Sequence, residues 1–162
     1  MTRRGKVAIG LLLTLSLVGT ALMASAARNE PGLRELKDAT APYRDVAAAE
    51  SQGYEAFLEC FDSEAGGMGQ HYVNLSLLDA GVSALQPESL VYEVGRSGQL
   101  TLVAVEYIVP GDFVDPLNPP VLFGRPFHLN AALGVWVLHA WIWKANPSGT
   151  FMDWNPSVAR CP

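Results

Sequence analysis

The residues of this chain that could do chemistry are few. There are only three histidines, His71, His128 and His139, and each falls at the end of a segment patterned as a strand or a loop. Glu106 interrupts the apolar run TLVAVEYIV at 101–109. Side chains alternate along a strand, so Glu106 shares a face with Leu100, Leu102, Ala104 and Ile108. A carboxylate in such a row needs a partner, because an unpaired buried charge is costly or takes up a proton. Arg125 or a backbone amide is the ordinary partner; a histidine or a metal ion is the chemical one. If strand ends converge, His71, His139 and Glu106 meet, with His128 supplied by a loop. Two or three neutral imidazoles and one carboxylate suit zinc, copper or iron. No H-x-H or H-E-x-x-H spacing accompanies them, so scattered structural histidines are the competing reading.

A second group is aromatic. The segment GVWVLHAWIWK (134–144) reads as a strand with Val137, His139, Trp141 and Trp143 on one face. Trp141 and Trp143 would stand about 7 Å apart along it. Exposed, they form a stacking platform for a sugar or another planar ligand; covered by helices, they are core. Together with Tyr107 they are the expected wall of a ligand pocket. Lys144, Asn146, Ser148 and Asp153 are either polar neighbours of that ligand or residues a turn needs. GGMG (66–69) reads as backbone that permits close approach to a sheet, with Met68 a core residue or a soft copper ligand. NLS at 74–76 matches a glycosylation sequon inside a predicted strand. The nucleophile elbow, the P-loop and the dinucleotide fingerprint are missing, so no enzyme class is assigned.

The elements that must position these groups are helices first and strands after. Apolar spacing predicts a helix over 32–39 and another over 41–51, or one kinked helix, with Thr40 as the cap and Pro42 in a first turn. A Gly-rich loop at 61–70 is followed by strands at 71–78, 88–94, 99–109 and 134–144. Residues 110–127 hold five prolines and read as a long loop. The expectation is an α+β domain: a helix or kinked helix pair packed on a curved, mostly antiparallel sheet of about four strands, cystatin-like or cone-like.

The N-terminus predicts the compartment. MTRRGK is basic, an apolar stretch follows, and ASA at 24–26 is a site for signal peptidase. Residues 1–26 thus read as a signal peptide and 27–162 as a single exported domain, extracellular or in the periplasm or envelope. The pair Arg3–Arg4 hints at the twin-arginine route. Taking Arg3, Arg4 and Lys6 from the 11 basic residues leaves 8 against 16 acidic ones, a charge of −8 on the mature chain. Such a surface disfavours nucleic acid, and no membrane span is expected in the mature part. Outside the cytoplasm the only two cysteines, Cys60 and Cys161, are expected to form a disulfide.

The blocks GGMGQHYVN, LVAVEYIVP, LFGRPFH and LHAWIWKANPSGTFMDWNP, with a terminal Cys, resemble those of a group of small exported bacterial proteins of unknown function. The resemblance covers most of residues 40–162 and implies a shared fold and a shared site without implying an activity. The three histidines, Glu106 and the WNP segment all fall inside these blocks. Three functions follow as expectations: a metal or small-ligand site lined by His71, Glu106, His139 and His128; a non-catalytic module recognising glycan or envelope components through its Trp surface; or a structural envelope protein.

Overall fold

The computed structural model describes residues 32–162. The expected signal peptide, residues 1–26, lies outside them. Among the described residues no helix is long and apolar enough to cross a membrane.

The helical part is short. α1 (Leu33–Thr40) buries Leu33, Leu36 and Thr40. Ala41–Arg44 winds as a 3-10 turn around Pro42, and α2 (Val46–Glu50) starts where the Asp45 side chain accepts from the Ala47 amide. The Thr40 side chain does not cap the 3-10 turn, although its type suggests that role. Its hydroxyl donates back to the Leu36 carbonyl at 2.9 Å and closes α1 instead.

Eight strands come after the helices: β1 (Glu55–Ser63), β2 (Gly66–Val73), β3 (Ser89–Val94), β4 (Leu100–Pro110), β5 (Val121–Leu122), β6 (Arg125–Pro126), β7 (His128–Asn130) and β8 (Val135–Ala140). Six of them make one curled antiparallel sheet in the order β1-β2-β3-β4-β8-β7, where four strands were expected. The proline-rich loop supplies the small β5–β6 hairpin, and β7 follows directly after it. The segment expected as a Gly-rich loop is instead the β1–β2 hairpin. β1 shows no alternation because it is a mostly exposed edge strand with an irregular register between Phe57 and Phe61.

One face of the sheet packs on the helices through Leu36, Tyr54, Tyr92, Val105, Tyr107 and Leu138. The other carries Val91, Ala104, Trp141 and Val158, flanked by Val73, Ile108 and Val137. A bulge sets the phase between them: Val91 pairs with Ala104, but Tyr92 pairs with Leu102. Leu102 therefore joins the helix-side core and does not share a face with Glu106 as strict alternation would require.

The C-terminal tail crosses that second face. Gly67 and Asn155 exchange backbone hydrogen bonds of 3.2 and 3.0 Å. A Cβ on Gly66, whose φ is +144°, would lie 2.5 Å from the Asn155 carbonyl carbon, and one on Gly67 would lie 2.7 Å from the Ala159 oxygen. Gly66 and Gly67 are thus explained by the tail's approach, and Gly69, whose φ is +100°, by that of β3, where a Cβ would lie 2.5 Å from the Tyr92 oxygen. The Cys60–Cys161 disulfide, with Cα atoms 5.8 Å apart, fastens the end of the tail to β1. Lys144 bridges both oxygens of Glu93, which also accepts from the Ala159 amide. The sequon asparagine is committed elsewhere. Asn74 is buried, donates to the Gln52 carbonyl at 2.8 Å and accepts from the Ser76 hydroxyl at 2.6 Å.

Glu88 is the other buried carboxyl, 3% exposed, and accepts from the Ile108 amide. Burial pushes its pKa up from 4.5 to about 7. The folded state therefore keeps a proton that the unfolded state releases, so Glu88 lowers stability as pH rises from 4.5 to about 7. Glu88→Gln, which retains an acceptor for Ile108, is expected to flatten that slope. Above pH ~7.5 it should raise unfolding free energy by ~2–3 kcal/mol in urea titrations. An unchanged pH profile would show that Glu88 is ionised in the fold.

Candidate metal centre

Three strands deliver the site. Glu106 on β4 is directly paired with His139 on β8. His71 on β2 lies on the far side of β3, whose Ser89 pairs with Glu106 and whose Val91 pairs with His71. Strands two places apart stand about 9–10 Å from one another, so the side chains of His71 and Glu106 meet by reaching diagonally across β3, between Val91 and Ser89. Ser89 is the smaller of the two. It is fully buried, and its hydroxyl has no protein partner.

Across it the groups converge. His71 Nε2 is 3.4 Å from Glu106 Oε2, His139 Nε2 is 3.4 Å from Glu106 Oε1, and the two Nε2 atoms are 3.5 Å apart. His71, Glu106 and His139 are 5%, 7% and 2% exposed. The expected convergence of these three is therefore present. The groups found at Glu106 are imidazoles, while Arg125 lies over the ring of Phe151.

His128 is not a fourth donor at the same point. It stands half-exposed, with Nε2 3.1 Å from Asp153 Oδ2, while Asp153 Oδ1 is 3.3 Å from His139 Nδ1. Asp153 thus pairs with the outer histidine and stands behind the inner one, where its Oδ1 and His139 Nδ1 are close without forming a well-aligned hydrogen bond. Asp153 is marked in the sequence as a polar neighbour of a ligand or a turn residue, but not as the partner of two histidines. Its position depends on the tail being drawn over Gly66 and Gly67.

The aromatic expectations divide. Trp141 is buried and stacks against His139 at 6.2 Å, with an 11° interplanar angle. Trp143 does not share its face. The strand ends at Ala140, the Trp141 amide turns to the Thr150 carbonyl, and Trp143 goes to the helices, where its indole donates to Thr40 at 3.2 Å. Tyr107 is one residue out of phase with Glu106. It belongs to the helix-side core, with its hydroxyl on the Ala84 carbonyl at 2.6 Å. Tyr107 and Trp143 therefore do not wall the site. Phe61, edge-on to His71, and Trp154 stand there instead.

The electrostatics divide the two inner histidines: His71 is held ready to ligate, whereas His139 would have to give up a proton to an incoming ion. Burial lowers the His71 pKa more than Glu106 raises it, so the ring is held neutral with its lone pair available. Burial also opposes protonation of His139, but Glu106 and Asp153 outweigh it, and its pKa is raised. The hydrogen bond that His128 donates to Asp153 raises the pKa of His128. Asp153 resists protonation: burial works the other way, but both histidines pull its pKa well below the usual range.

The three groups form the floor of a cavity of about 270 Å³. Its upper walls are mostly apolar and include Phe57, Leu58, Phe61, Met68, Val137 and Leu133, with His128, Asn130 and Asp153 as the polar members of the same lining.

No family model, curated protein or solved structure matches the chain.

If an ion sits on this floor, Asp153 orients His139 from behind, as carboxylates commonly do for metal-bound imidazoles. Asp153→Asn is then expected to weaken zinc binding by about 10–100-fold in competition titrations, with one ion still bound. Unchanged affinity would mean that Asp153 has no such role.

Proposed function

We propose that this protein is an exported metal-binding protein that holds one divalent ion between His71, Glu106 and His139. The observation that carries the reading is the mutual approach of two imidazole Nε2 atoms and one carboxylate, all buried, at the base of a cavity. Three donors at about 2.0–2.1 Å from one tetrahedral ion stand about 3.3–3.4 Å apart. Donors on one face of an octahedral ion at similar bond lengths stand about 2.9 Å apart. The 3.5 Å between the two Nε2 atoms is nearer the tetrahedral value and favours zinc over six-coordinate iron, while the two 3.4 Å approaches reach different oxygens of Glu106. A donor set without thiolate also suits zinc better than copper(I).

Three protein ligands leave a fourth tetrahedral position facing the cavity. A site open there binds an external donor or activates a water molecule. Export is supported by the N-terminal composition and by a disulfide of the kind that persists in oxidising compartments. The same site is proposed for the exported bacterial group whose blocks the chain resembles. The glycan-binding alternative draws no support from the Trp141–Trp143 pair, because the two rings lie on different faces.

Dialysis against zinc, copper(II) or iron(II), followed by elemental analysis, tests the proposal. One equivalent of zinc retained per chain is expected. Retention of none of the three ions in stoichiometric amount would end it.

A further inference from the structure

We infer that the cavity takes a small apolar anion whose single donor group, a carboxylate, phenolate or thiolate, completes the coordination of the ion. This inference rests on the metal reading above. Two neutral imidazoles and one carboxylate leave a divalent ion with one net positive charge, while the Asp153 carboxylate in the same lining is matched by His128. In a cavity with mostly apolar walls the charge on the ion is best met by one negative donor. The remainder of such a ligand would touch hydrocarbon. Phe57, Leu58, Phe61 and Leu133 are 38%, 53%, 36% and 48% exposed, and all four line this one cavity. An apolar cluster left open around a polar floor is the usual form of a small-molecule site. At about 270 Å³ it lies at the small end of such sites, the scale of one aromatic ring or a short acyl chain.

Leu58 supplies a second, independent observation. Its φ is +56°, a region that leucine rarely adopts. The strained turn is held by the Gln70 side-chain amide, which donates to the Phe57 and Leu58 carbonyls at 3.2 and 3.0 Å. Neither core packing nor turn chemistry requires leucine here: the side chain is more than half exposed, and glycine would relieve the backbone. What the strain achieves is an apolar side chain placed at the cavity mouth, and strain of this kind concentrates where ligands are gripped.

The test uses cobalt(II) as a coloured stand-in for zinc, with benzoate and acetate as probes that share a donor and differ in the apolar part. Benzoate is expected to shift the visible cobalt bands and to bind about tenfold or more tighter than acetate. Leu58→Gly, which suits the backbone, and Phe61→Ala should each reduce that preference severalfold. The spectrum before any probe is added reports the metal reading separately. Absence of that cobalt spectrum would overturn both proposals. A cobalt spectrum with equal affinity for benzoate and acetate would overturn this one alone. So would a benzoate preference that both variants keep, because binding would then lie elsewhere.

Discussion

His139→Ala is expected to weaken zinc binding by about 10³-fold or more, equivalent to about 4 kcal/mol. His139 is the central donor. Its Nε2 faces both Glu106 and His71, its Nδ1 faces Asp153, and its ring lies against Trp141. The substitution therefore removes one of three ligands and severs Asp153 from the ion. His128→Ala touches the site only through Asp153 and should cost no more than about tenfold. The contrast between these two histidines separates a metal centre from a general dependence on histidine content. Competition against a chromophoric chelator reads both values. Equal losses for the two variants, or none for His139→Ala, would contradict the assignment.

Opening the disulfide is the second large expected effect. Cys60 and Cys161 are 101 residues apart, so their link restrains the whole span from β1 to the tail in the unfolded state. Replacing both by serine is expected to lower unfolding free energy by up to ~4–5 kcal/mol, the loop-entropy value for a closure of this length. Zinc stoichiometry should survive, because the tail that carries Asp153 has other anchors. These are the Gly67–Asn155 backbone pair, the Trp141 indole on the Met152 carbonyl, and Glu93 on the Ala159 amide. Chemical denaturation of the double variant, with metal content measured alongside, checks both parts. A loss below ~1 kcal/mol would place the restraint in those other anchors.

Much of the site's logic was legible in residue types. Glu106 broke an apolar alternation, and that irregularity marked a carboxylate in need of partners. The three histidines were few enough to be weighed one by one. What could not be read was register. The bulge beside Val103 moves Leu102 to the other face, and no local pattern announces it. The end of β8 at Ala140 sends Trp141 and Trp143 apart, although an unbroken strand would have kept them together. β1 escaped notice because an exposed edge strand with a leucine at positive φ shows neither alternation nor a hydrophobic run. The helical segment was located correctly by spacing, but its middle winds as a 3-10 turn because Pro42 cannot donate to a regular ladder. Ser89, and the pairing of Asp153 with the histidines in place of the ligand or turn role read for it, were the least accessible to sequence reasoning. Asp153 matters only because the glycines of β2 let the tail approach. Ser89 matters only because β3 happens to pass between the two strands whose side chains must meet.

The most direct measurement is X-ray diffraction from zinc-loaded crystals at wavelengths on either side of the zinc absorption edge. The account predicts a single anomalous peak about 2.0–2.1 Å from the Nε2 atoms of His71 and His139 and from one Glu106 oxygen. A fully loaded crystal with zinc bound only at the surface, for instance on His128 and Asp153, would contradict it.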